Sequence, residues 1–264
     1  MADILIEART GRIARLTLNR GPQRNALSLE LTTVLREAIQ RLGKAPDVHV
    51  IILAANGPAF CAGHDLKEIA AARAADDGGR AFFEKAMTGC SALMQSIVSC
   101  PKPVIAEVHA MATAAGCQLV ASCDLALASD VAHFATPGVN IGLFCSTPMV
   151  ALSRNVGRKA SMEMLLTGDA VGADRARELG LVNRVVAPDA LSDETFALAE
   201  QIAAKSPTTL RIGKEAFYAQ AEMPLAAAYD YASEVMVTNL LERDAKEGIG
   251  AFIEKRPPEW EPLG

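Results

Sequence analysis

The sequence predicts an α/β fold: one core domain in which strands and helices alternate, followed by a helical C-terminal region. Two observations carry this expectation. Up to about Val156, short apolar or alternating runs are separated by helical patterns and by turns rich in Gly and Pro. From about Gly157 onward the apolar spacing is mostly helical, and no linker, low-complexity stretch or internal repeat interrupts the chain.

The first strands are "ILIEA", residues 4–8, and "IARLTLN", residues 13–19, the second with the alternation of a half-buried strand. The loop "RGPQRNALS" follows. Ser28 at its end is a suitable N-cap for a helix starting near Leu29, and Leu31, Leu35, Ala38, Ile39 and Leu42 give that helix one apolar stripe. Pro46 and Asp47 end it. "HVIILAA", residues 49–55, is continuously apolar, as in a sheet covered on both faces. After the turn-rich "NGPAFCAG", the positions Phe83, Met87, Cys90, Met94 and Ile97 mark a second long helix, stopped by Pro101 and Pro103. "VIAEVHA" reads as a strand, "TAAGCQLVASCD" as a helix opened by small residues, and "DLALAS" as a short strand. "ASMEMLLTG", "ADRARELG", "DETFALAEQIAAK" and "LRIGKEAFYAQ" are the helices of the final part.

Composition bounds the function. The chain has 264 residues and a net charge of −5, which gives a polyanion such as DNA no attraction. Its longest apolar runs are too short to span a bilayer. The opening "MADILIEART" contains acids and no basic-then-apolar pattern, so a cytoplasmic location is expected. The six cysteines form no CxxC pair and the four histidines are scattered, so reduced, buried thiols are expected and a zinc site is not.

Two loops share a design. "FCAGHDL", residues 60–66, follows a buried strand; "ATAAGCQL", residues 112–119, follows a strand and opens a helix. Each sets small residues where a backbone N–H can approach a ligand, and the second adds the positive end of a helix dipole. Two such donors on one oxygen form an oxyanion hole. Each corner taken alone reads first as a tight turn packed on its neighbours.

Together these stretches resemble the enoyl-CoA hydratase/isomerase (crotonase) superfamily. "FCAGHDLKE" is similar to its F-[SCA]-A-G-x-D-[LI] loop, and "PVIAEVHAMATAAGCQLVASCDLALAS" to its P-V-I-A-x-V-x-G-x-A-x-G-G-G-x-E-L-A-x-x-C-D segment. "FATPGVNIGL", "LLTGDAVGADRARELGLVNRVV" and the opening "ARLTLNRGPQRNALS" extend the resemblance over about residues 4–255. It implies a crotonase-like spiral of ββα turns, with residues 1–200 as an acyl-CoA-binding core and 201–264 as a helical trimerisation region. It implies an acyl-CoA thioester as substrate, no separate cofactor, and a homotrimer or dimer of trimers. The oxyanion-hole donors map onto the backbone N–H groups of His64 and Ala115. The CoA-binding positions fall on Ala62, His64, Asp65, Leu66 and Lys67, with Gln23, Arg24 and Ala26 walling the nucleotide side. Arg24 is either a phosphate contact or a solvated surface arginine.

The chain departs from that pattern where hydration needs it. The family's two glutamates correspond to Gln118 and Gly138 here. Gln118 forms hydrogen bonds but transfers no proton at neutral pH, and Gly138 has no side chain. The next segment, "GLFCSTP", supplies Cys145, Ser146 and Thr147 and no acid. Asp124 matches the family's "CD" and reads as structural; Glu107 stands where an apolar residue is usual and has no assigned role. Three readings follow: a hydratase/isomerase by descent, a protein that stabilises enolates without a general base, as in decarboxylation of an acyl-CoA, or a binding protein for acyl-CoA. Restoring the acids with Gln118→Glu and Gly138→Glu is the direct test of the loss, with the backbone angle at Gly138 as the expected obstacle.

Overall fold

The computed structural model describes residues 3–261. Strands β1 (Leu5–Thr10) and β2 (Ile13–Leu18) form an antiparallel hairpin. Strands β3 (Val50–Ala55), β4 (Val104–Val108), β6 (Leu125–Ser129) and β9 (Arg184–Val186) extend it in parallel, giving the order β1-β2-β3-β4-β6-β9. A smaller sheet joins β5 (Ala112–Thr113), β7 (His133–Ala135) and β8 (Val171–Gly172). Strands of two or three residues carry no readable periodicity, which is why β5, β7 and β8 escape a sequence reading.

The helices divide between the two faces of the large sheet. Helices α1 (Leu29–Lys44) and α3 (Arg80–Val98) and the fully buried α4 (Ala115–Ser122) cover one face. The predicted stripe of α1 is the buried one, and the Ser28 hydroxyl accepts the Leu31 N–H at 3.1 Å as the predicted cap. In α3 the buried face runs through Ala86, Cys90, Leu93, Met94 and Ile97, so Phe83 and Met87 lie at its margin instead of on it. The opposite face of the sheet, built of Ile13, Val50, Ile52, Ile105 and Leu127, is covered by α8 (Leu191–Ala203). Residue 200 lies inside α8.

Between these layers run α2 (Leu66–Ala72), α5 (Pro148–Asn155), α6 (Arg158–Thr167) and α7 (Ala173–Glu178). The chain ends in α9 (Pro207–Gln220), α10 (Leu225–Leu241) and α11 (Arg243–Glu254). α10 is 17 residues long, mostly apolar, and buries none of them. No described helix is long and apolar enough to cross a membrane.

Candidate active site

The register of two loops builds the site. The stretch after β3 runs alongside β5, with Cys61 bridged to Ala112 in parallel and the Thr113 N–H donating to the Cys61 carbonyl at 2.9 Å. Three residues past that pair, the two chains reach His64 and Ala115. On its other edge the same loop pairs with Leu27: Leu27 N–H donates to the Gly63 carbonyl at 2.7 Å, and Asp65 N–H to the Leu27 carbonyl at 3.2 Å. Strand alternation therefore turns the His64 N–H away from Leu27, toward Ala115. Neither the His64 nor the Ala115 N–H has an acceptor among the described residues. The structure thus sets His64 and Ala115 on adjacent segments, each with an N–H that has no acceptor among the described residues.

Glycine is required at two points of this contact. A Cβ on Gly116 would lie 2.1 Å from the Cys61 carbonyl oxygen, and one on Gly63 would lie 2.9 Å from the Ala114 Cβ and 3.3 Å from the Ala115 nitrogen. Ala114, at the entry to α4, has φ 51° and ψ −119°, a conformation natural to glycine and strained for alanine. The family pattern has Gly at that position. Sequence reading shows the small residue but not its strain.

The "GPQRNAL" loop is laced to the same corner. Ala62 N–H donates to the Arg24 carbonyl at 3.0 Å. Asn25, fully buried, donates from Nδ2 to the Asn56 and Ala59 carbonyls at 2.7 and 2.8 Å. Arg20 donates to Asp65 Oδ2 at 3.1 Å. Burial raises the Asp65 pKa, but Arg20 and the Lys67 N–H outweigh it and leave the carboxyl below its ordinary value. Arg20 and Asn25 are the residues sequence reasoning missed here; both lie in the "RGPQRNALS" loop, but only the fold shows what they hold. Gln23, Arg24, Leu66 and Lys67 are exposed, while Ala26 is buried at the loop's inner end.

Gln118 lies one turn into α4 and is buried, its Oε1 3.8 Å from the Cys90 Sγ of α3. Gly138 follows β7, which pairs with the strand leading into Ala115. A Cβ there would meet the Leu143 carbonyl oxygen at 2.6 Å and the Cys145 Sγ at 2.9 Å. The obstacle to Gly138→Glu is therefore the 143–145 turn, not the left-handed backbone angle expected from sequence; φ at Gly138 lies outside that region. Burial pushes the Cys145 thiol up, with the same effect on Cys90, to about 11, and on Cys61 and Cys117, to about 12. None is a thiolate nucleophile at neutral pH. No cluster of three or more His, Cys, Asp or Glu side chains able to hold a metal occurs among the described residues.

The two remaining acids lie elsewhere. Glu107 pairs with Arg15 and sits between the Ile105 and Val108 positions of β4, on the α8 side of the sheet with Ile105; α4 packs on the other side. Asp124 accepts hydrogen bonds from Lys214 Nζ at 2.7 Å, Tyr218 Oη at 2.9 Å and the Val104 N–H at 2.7 Å, which fastens α9 to the core. Neither carboxylate faces Gln118.

Similarity to known proteins agrees with this geometry. The family model described as enoyl-CoA hydratase/isomerase matches residues 8–262. The enoyl-CoA hydratase domain-containing protein 3 of Danio rerio is 47% identical, covering 98% of this chain and 88% of that protein, and its human counterpart is 46% identical, covering 94% and 80%. A crystal structure of an enoyl-CoA hydratase from Mycobacterium smegmatis is 51% identical with a TM-score of 0.93, covering 98% of this chain and 99% of that one. The zebrafish and human relatives are both named mitochondrial, which overturns the expected cytoplasmic location. By its sequence, its fold and the pairing of its two corner loops, the chain belongs to the enoyl-CoA hydratase/isomerase family.

Proposed function

We propose that this protein binds the CoA thioester of an acyl group and polarises its carbonyl between the His64 and Ala115 N–H groups, without the acid–base pair that hydration requires. The observation that carries the reading is the pair of unpartnered amide donors on facing chains, with no carboxylate at Gln118 or Gly138. Two amide donors that lack partners at one point favour an oxygen supplied by a ligand. As negative charge grows on that oxygen, the same donors bind it more tightly, which favours enolate-like states. The loop residues Ala62, Asp65, Leu66 and Lys67, with Gln23, Arg24 and Ala26, form the CoA side in this reading.

Isothermal titration with acetyl-CoA, butyryl-CoA and free CoA tests it. The thioesters should bind more tightly than free CoA. No heat and no thermal shift at millimolar thioester would reject the proposal.

The same reading includes self-association. α10 exposes apolar side chains along its length, with Leu241 82% and Tyr229 70% exposed, and α11 adds Phe252 at 85%. A surface this apolar favours a second copy of the chain as its cover, giving a closed trimer or dimer of trimers.

A further inference from the structure

The oxyanion hole uses only the backbone of His64 and leaves its imidazole unassigned. Its Nε2 is buried and has no hydrogen-bond partner among the described residues. It lines a small cavity with Leu27, Thr32, Glu68, Phe82 and Ala86, of about 10 Å³, which is room for one water-sized group. Phe82, Ala86 and Cys90 recur at four-residue spacing on one face of α3, and Cys90 touches Gln118. The cavity and the buried amide therefore share one helix face, beside the paired donors.

The charges around the cavity restrict what fits. Its ionisable lining is Asp65, Glu68 and His64, with no lysine or arginine. Asp65 is committed to Arg20 and to the Lys67 N–H, and Glu68 Oε2 accepts the Leu29 N–H at 3.0 Å. Burial pushes the His64 pKa below its ordinary value, so the ring is neutral at pH 7. A ligand carboxylate would meet Glu68 and the Asp65 already paired with Arg20, with no lysine or arginine in the lining to receive it. An unpaired imidazole nitrogen, in contrast, gains from any neutral donor or acceptor.

We infer that the His64 side chain reads an uncharged hydrogen-bonding group, a hydroxyl or a carbonyl, close to the thioester end of the acyl chain. The inference rests on the acyl-thioester reading above and names its substrate class: acyl groups with a neutral polar substituent, not dicarboxylic ones. It therefore disfavours decarboxylation of a malonyl-type thioester.

The test is titration of the full chain with butyryl-CoA, 3-hydroxybutyryl-CoA and methylmalonyl-CoA. In the unmodified protein the hydroxy compound should bind about five- to tenfold more tightly than butyryl-CoA, the worth of one net hydrogen bond, and methylmalonyl-CoA should bind most weakly. In His64→Leu the hydroxy-to-butyryl ratio should fall to about one, while His64→Gln, which keeps a neutral donor and acceptor, should retain a preference. Equal affinities in the unmodified protein, a preference that survives in His64→Leu, or tightest binding of methylmalonyl-CoA would overturn the inference and leave the thioester reading standing. Failure of all three thioesters to bind would remove both.

Discussion

Ala114 holds the most informative backbone angle in the molecule. Its left-handed φ with ψ −119° aims the Ala115 N–H into the site, and a non-glycine residue there stores about 1–3 kcal/mol of strain. Ala114→Gly removes the strain but adds about 0.5–1 kcal/mol of unfolded-state entropy, so denaturant unfolding should show a net stabilisation of about 1 kcal/mol. A loss of stability would mean that the angle is not strained in solution. Gly116 is the opposite case. An alanine Cβ there would collide with the Cys61 carbonyl, and backbone cannot yield as a side-chain tip can. Gly116→Ala should destabilise by at least about 2 kcal/mol and abolish thioester binding, read by the same unfolding curve and by titration. The small residues of both corners, and the missing acids at Gln118 and Gly138, are legible in the sequence because they are matters of residue type. The strain at Ala114, the unpaired Nε2 of His64 and the crowding of Gly138 by Leu143 are not, because they depend on which chains the fold lays side by side.

At the scale of elements, the clamp of Asp124, Lys214 and Tyr218 ties α9 to the starts of β4 and β6. Both charged side chains are largely buried, and Lys214 also donates to the Ile97 and Lys102 carbonyls at 3.0 Å. Removing one partner strands the other, so Lys214→Ala should cost about 3–5 kcal/mol in chemical unfolding; a cost below about 1 kcal/mol would show that the pair is hydrated in solution. His49 fastens the start of β3 to α8 through the Ala203 carbonyl at 3.1 Å, and burial lowers its pKa. A base held neutral in the folded state contributes stability that is complete above its unfolded pKa, about 6.5, and is lost as pH falls through that value toward the lower folded one. The melting temperature should therefore decline between pH 7 and 5, and decline less in His49→Gln; identical profiles would remove His49 from the account. Sequence patterning reads α1 well because its stripe meets the core of its own chain. It misplaces the N-terminal face of α3 by one residue, because Phe83 packs toward the 73–79 segment, with Arg73 over its ring at 5.5 Å, instead of toward the sheet.

For the whole molecule, the exposed apolar surface of α10 and α11 predicts an assembly. Light scattering should give a mass three or six times that of one chain, and Leu241→Asp with Phe252→Glu should reduce it; a stable monomer in the unmodified protein would refute the association. In the proposed function, a thioester-polarising site is kept while the proton handling of hydration is lost. Each absent acid–base group is worth about 10²–10⁴ in rate. The most direct measurement is the rate at which the unmodified protein hydrates crotonyl-CoA, followed by loss of the enoyl-thioester absorbance, beside a family member that has both glutamates. Hydration should be at least about a thousandfold slower, with thioester binding intact; hydration at a comparable rate would show that the loss of acids at Gln118 and Gly138 does not disable the reaction.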